Sequence, residues 1–311
     1  MTTAPSSNRA VWLVLIVLVI VVGAFSIPAV RNMAFGSLQS LRMQKVQAVN
    51  ADFSSYVDTN ANPSLHQMVT QMISDKVQVE TNEEDHTVAD AAAAGQVAGF
   101  PVQLLSMRKD TPQITVGGVH KIAVAVDRAR LQALATAAGH PELNLPQSID
   151  GTTVGVNVPR SVQVQYGNCP GPATAGKVVS DNVVGPSPTT TEFGDCVRLR
   201  EGPDPEVSVP SGLDVSGLAE IGLETAGMTP QQASDFLHTI DWKATLTLAV
   251  PRALRSYQVV KVNGTDGTLL SMAGRRGGPG YALIWTKNGI VYSLTGFGDS
   301  SQAIPLADSL K

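Results

Sequence analysis

Asn263-Gly264 and Asn288-Gly289 each stand between runs rich in β-branched and aromatic residues, and no other feature constrains the fold as tightly. Both residues of an Asn-Gly pair tolerate positive φ, which a two-residue hairpin turn requires. The flanking runs are Tyr257 to Val262, Thr268 to Met272, Tyr281 to Trp285 and Ile290 to Leu294. Their connections are too short for the crossover that joins parallel strands. Together with Trp242 to Val250, this stretch predicts an antiparallel sheet.

Helices are mixed into the sheet elsewhere, so the expected class is α+β. Thr229-Pro230-Gln231-Gln232 combines capping-box spacing with proline at the first helical position, and predicts a helix over Pro230 to Thr239 after one near Leu218 to Ala226. Asp127 caps a predicted helix from Arg128 to Ala138, stopped by Gly139 and Pro141. Ile114 to Val116 and Lys121 to Val126 read as a hairpin about Gly117-Gly118, and Thr153 to Val158 and Val162 to Tyr166 as strands around Pro159. Thr87-Val88-Ala89-Asp90 has capping-box spacing and opens an alanine-rich helix to Val97, ended by Gly99 before the extended Phe100-Pro101-Val102. Phe35 to Tyr56 predicts a helix, and Asn62-Pro63 begins another with Leu65, Met68, Val69 and Met72 on one face. A weak helical pattern closes the chain from Ser300 to Leu310.

From Ala10 to Val30 there is no charge, and Val11 to Val22 is wholly apolar. A helix of about 20 residues spans the hydrocarbon core of a bilayer, so this segment predicts a single transmembrane anchor. Arg9, the apolar run and Ala24-Phe25-Ser26 also fit a cleaved signal peptide, which would make the protein secreted. The anchor is favoured because apolar residues continue through Ile27 to Val30. The expected organisation is a short cytoplasmic leader at 1–9, a membrane helix at 10–30, a helical juxtamembrane segment at 31–86 and an extracytoplasmic domain at 87–311, with two lobes dividing near 202–212. Arg31, Arg42 and Lys45 follow the segment closely, so the positive-inside count by itself does not favour an outside C-terminus.

The cysteines carry that orientation. Cys169 and Cys196 flank a loop rich in Gly, Pro, Ser and Thr, each next to a strand-like run. A disulfide between them needs an oxidising compartment, whereas two buried free thiols would not.

Chemistry is sparse. The five histidines, His66, His86, His120, His140 and His238, have no second histidine at the spacing zinc sites use, so neither a metal nor a cofactor is expected. Glu83-Glu84-Asp85-His86 lacks the spaced ligands of a calcium loop and reads as a solvated connector. Gly274 to Gly280, with Arg275 and Arg276, lies between strands without the Gly-Lys-Ser/Thr and helix of a phosphate loop. No nucleophile elbow is present, and a net charge of −4 without a basic run argues against nucleic-acid binding. At 43% hydrophobic and 15% charged residues, the chain has material for a substantial core.

The C-terminal order is a capped helix pair, Ile240-Asp241-Trp242, a strand ending at Pro251, the turn Val262-Asn263-Gly264, then Tyr281-Ala282-Leu283-Ile284-Trp285 and Tyr292-Ser293-Leu294-Thr295-Gly296. It resembles uncharacterised bacterial extracytoplasmic domains related to anti-sigma-factor sensor domains and outer-membrane lipoprotein carriers. Phe100-Pro101-Val102 extends the resemblance loosely from about Thr87 to the end. The resemblance implies a curved antiparallel sheet with helices packed against it, and lipid or acyl binding without chemistry. The expected function is thus a membrane-anchored binding or sensing module for a protein or an apolar ligand. The alternatives are an envelope hydrolase whose site assembles only in three dimensions, and a structural subunit of an envelope complex.

Overall fold

The structure is a computed structural model, and it describes residues 45–50, 63–137, 140–142, 144–169, 194–208, 215–225, 228–239, 245–250, 256–272 and 280–311. The apolar segment at 10–30 and the glycine-arginine loop at 274–279 lie outside these residues. No helix among the described residues is long and apolar enough to cross a membrane. Along the chain run β1 (Lys45–Asn50), α1 (Pro63–Lys76), β2 (Val77–Asn82), β3 (His86–Val88), α2 (Ala91–Ala98), β4 (Gln113–Gly117), β5 (His120–Ala125), α3 (Arg128–Ala137), β6 (Thr153–Val158) and β7 (Ser161–Tyr166). There follow β8 (Val197–Pro203), β9 (Glu206–Ser208), α4 (Val215–Thr225), α5 (Pro230–Thr239), β10 (Thr245–Val250), β11 (Ser256–Val262), β12 (Thr265–Met272), β13 (Gly280–Lys287), β14 (Ile290–Phe297) and α6 (Ala303–Asp308).

The class is mixed α+β, with two antiparallel sheets. One has eight strands in the order β11-β12-β13-β14-β8-β7-β4-β3, and the other has four in the order β2-β5-β6-β9. β1 and β10 form a separate parallel pair. Since β14 pairs with β8, the large sheet draws strands from both sides of residues 202–212.

Strands β11 to β14 form a meander built as the turn dipeptides require. Asn263 and Asn288 take φ of 46° and 54°, and Gly264 and Gly289 take 82° and 78°. Thr229 makes the reciprocal capping box: its Oγ1 accepts the Gln232 N–H at 3.2 Å, and its own N–H donates to Gln232 Oε1 at 3.0 Å.

The two sheets share four long strands. β2–β3, β4–β5, β6–β7 and β8–β9 each run through one sheet, bend over two or three residues and continue in the other, keeping the same neighbours on both sides. The expected β4–β5 hairpin is therefore corrected: the two halves lie in different sheets and pair with β7 and β6 instead of with each other. At the bend the Glu83 N–H donates to the Val119 carbonyl at 3.1 Å, and Glu83 Oε2 accepts the Val119 N–H at 3.1 Å and Arg160 Nη2 at 2.9 Å. Gly118 passes so close that a Cβ there would stand 2.5 Å from both Cβ and the carbonyl oxygen of Glu83.

Two further expectations change. Within the helix predicted from Phe35 to Tyr56, and within the helical segment expected at 31–86, residues 45–50 form β1; residues 77–82 likewise form β2. Val46 and Val49, and Val77 and Val79, are β-branched residues that suit a pleated surface. The cap of α2 is Asp90, whose Oδ1 accepts the Ala93 N–H at 2.8 Å, while Thr87 belongs to β3. Gly99 ends this helix with φ of 85°.

The main core covers one face of the eight-stranded sheet. Tyr281, Leu283 and Trp285 on β13, Leu294 on β14, Leu199 on β8 and Val164 on β7 are sealed beneath Ala94 of α2 and Ala303 and Ala307 of α6. Each large apolar side chain so buried contributes about 1.5–3 kcal/mol relative to exposure. A second group, with Leu145, Ile149 and Leu131, lies around α3. α1 is tied to that side by Asp75–Arg130 at 2.7 Å and Lys76–Asp127 at 3.3 Å.

Candidate functional site

Alternation along β8 turns Val197, Leu199 and Glu201 toward the core. Glu201 is fully buried, opposite Val162 of β7 and Tyr292 of β14. Its carboxyl oxygens accept one backbone N–H, that of Gln103, at 3.1 and 3.2 Å. Burial pushes its pKa up to about 8, against the opposing pull of that hydrogen bond. Tyr292 stacks on Trp285 at 5.1 Å between ring centroids. Burial, then the neighbouring Glu201 carboxylate, push the Tyr292 phenol up to about 12.

Gln103 begins a strap that crosses the end of this core. The Leu105 N–H donates to the Tyr166 hydroxyl at 2.9 Å. The Arg108 guanidinium sits 5.7 Å from the centroid of the Tyr166 ring and makes paired 2.8 Å bonds to Asp110. Asp110 also accepts the Gly167 N–H at 2.8 Å, and its pKa falls to about 2, chiefly through Arg108. On its other edge the strap pairs with the chain end: Leu104 and Lys311 exchange N–H···O bonds of 2.9 and 3.1 Å, and the Ser106 N–H donates to the Ser309 carbonyl at 3.0 Å.

Cys169 and Cys196 are joined in a disulfide, 27 residues apart in sequence, at the ends of β7 and β8 that lie beside this strap. Asp195 accepts the Asn168 N–H at 3.3 Å, closing the base of the loop. The strap and the chain end meet beside the sealed Glu201 carboxyl, while the disulfide closes the Tyr166 end of the same two strands. Glu201 and Tyr166, at no more than 2% exposure, can hold protons but do not face solvent.

No family model, curated protein or solved structure matches the chain.

The opposite face of the large sheet is polar between β3 and β14. Thr87, Thr115, Gln163, Arg200 and Ser293 make one cross-strand row, and Gln113, Gln165, Arg198 and Thr295 the next. Neither row contains a carboxylate. Arg198 Nε donates to Gln165 Oε1 at 3.1 Å, and Arg200 donates to Ser161 Oγ at 3.0 and 3.2 Å. Nearer β11 this face changes character: Thr268, Leu270 and Thr286 are buried, and β1 approaches β12 and β13.

The polar cluster Glu83-Glu84-Asp85-His86 spans the bend between β2 and β3. The Val119 N–H, then Arg160, hold the Glu83 carboxyl below the usual range. His120 hydrogen-bonds Asn82 at 2.9 Å and His140 stands 3.3 Å from Glu142, so each of these histidines has its own local partner. Sequence reasoning passed over Glu201, because Arg198-Leu199-Arg200-Glu201 reads as a solvated alternation. The signal was nonetheless present: period two places Glu201 on the face of Val197 and Leu199.

Proposed function

We propose that the chain is a membrane-anchored extracytoplasmic binding or sensing module that works without chemistry of its own. The Cys169–Cys196 disulfide carries this reading, since such bonds persist in oxidising compartments and are rare where thiols are kept reduced. The uncharged run from Ala10 to Val30 supplies the anchor. The resemblance to sensor and lipoprotein-carrier domains belongs to the same proposal, with the eight-stranded sheet as the platform.

Of the two ligand classes, a protein is favoured over an acyl chain. The apolar face of the sheet is already covered by α2, α6 and the strap, whereas the rows around Arg198 and Arg200 offer hydrogen-bonding groups of the kind found at protein interfaces. The test begins with protein taken directly from cells, alkylated before and after reduction and mapped by peptide mass. A Cys169–Cys196 cystine peptide is the expected result; two freely alkylated thiols overturn the extracytoplasmic placement. A photo-crosslinker at Gln163 in the same cells should trap a protein that one at the exposed Gln258 does not. Equal recovery from the two positions removes the polar face as the docking surface.

A further inference from the structure

We propose that Glu201 is a proton-dependent latch: protonated, it keeps the strap from Gln103 to Ser106 seated on the core and on Ser309–Lys311, and on ionisation it lets both go.

Three observations carry it. Glu201 is fully buried on the apolar face of β8, and among the described residues the only hydrogen bonds to its carboxyl come from the strap, through the Gln103 N–H, which by itself favours the ionised form and is outweighed by burial. A carboxylate there would sit in an environment that strongly disfavours charge. The strap itself is seated by the buried Leu105 side chain and by a few hydrogen bonds: the Tyr166 hydroxyl at Leu105 on the core side, and Ser309 and Lys311 on the chain-end side. In the latch, water that solvates an ionised Glu201 displaces Gln103, which now contacts its carboxyl, and the chain end loses its pairing partner when the strap lifts.

Among the described residues, the groups around Glu201 do not neutralise that charge. β7 presents Tyr166 and β14 presents Tyr292, both phenols whose burial raises their pKa. α2 has no ionisable side chain, and the charges of the strap, Arg108 and Asp110, are paired with each other. In the last helix Asp308 is engaged by the Asn263 N–H at 2.7 Å. The buried carboxyl, raised from 4.5 to about 8, binds its proton more tightly folded than unfolded. Its contribution is therefore complete below about pH 4.5 and is lost as pH rises through about 8.

Amide hydrogen exchange on the full chain in detergent, corrected for intrinsic exchange rates, tests the latch. Between about pH 6 and pH 9, protection at Leu104, Ser106 and Lys311 should fall about tenfold or more, while Leu283 and Leu294 in the sheet centre keep theirs. Glu201→Gln, which cannot ionise, should abolish the fall. Constant protection in the wild type, or the same fall in Glu201→Gln, overturns the proposal. Should the variant fail to fold, a carbonyl titration of Glu201 in the wild type decides: ionisation complete by about pH 5 sinks the latch, and ionisation near pH 8 together with the wild-type loss of protection upholds it.

Discussion

The meander β11 to β14 and the four bent strands β2 to β9 are both antiparallel, yet they are specified in different ways. In the meander, β12, β13 and β14 each pair with the strand before them, and Asn263-Gly264 and Asn288-Gly289 make two of the three connections. In the bent strands, the two segments joined by a bend never pair with each other. β4 and β5 are separated only by Gly118 and Val119, yet their partners are β3 and β7 for the one and β2 and β6 for the other. A short glycine-containing connection is thus compatible with a reversal or with a bend. What decides is the packing on either side, and at residues 118–119 it is the contact with Glu83.

The largest effect should come from breaking that contact. Gly118→Val places a branched side chain where even a Cβ meets Glu83 backbone at 2.5 Å, and both flanking strands are held in sheets that resist a shift. A cost of about 3 kcal/mol or more is expected in chemical denaturation, the upper end of overpacking penalties. A cost below about 1 kcal/mol would show that the bend yields easily, and the contrast with the meander would lose its basis.

The meander's own weak point is smaller and local. Gly289 holds φ of 78°, where an L side chain is strained, so Gly289→Ala should cost about 1–2 kcal/mol. Register between β13 and β14 should survive, because Leu283 opposite Leu294 and Trp285 opposite Tyr292 fix it through the core. Loss of the Trp285–Tyr292 ring contact in the near-ultraviolet circular dichroism of this variant would mean that the turn, and not the core, sets the register.

This difference explains how far the fold could be read in advance. The turn asparagines, the Thr229 capping box and the strands they delimit were legible because each depends on residues within a few positions. The bends were not, since Gly117-Gly118 and Pro159 carry the same local signals as hairpin turns, and the partner that distinguishes the two, Glu83, is 35 residues from Gly118. Of the candidate site, the cysteine pairing was legible from its flanking strands. The strap was visible only as an extended run after Gly99, because its meaning depends on Glu201 and on the chain end, both far away in sequence.

The smallest effect separates backbone from charge at the bend. Arg160 reaches Glu83 at 2.9 Å, but the two side chains are 41% and 38% exposed, so water and salt screen the pair. Arg160→Gln should cost about 0.5 kcal/mol at low salt and less as salt is raised. The two hydrogen bonds between Glu83 and Val119 do not involve Arg160 and should hold the bend without it. A loss of about 2 kcal/mol that persists in high salt would reverse the assignment, making the bend a device of paired side chains. The bent strands would then depend on a contact between residues 77 positions apart, and would be less local still than Gly118 makes them.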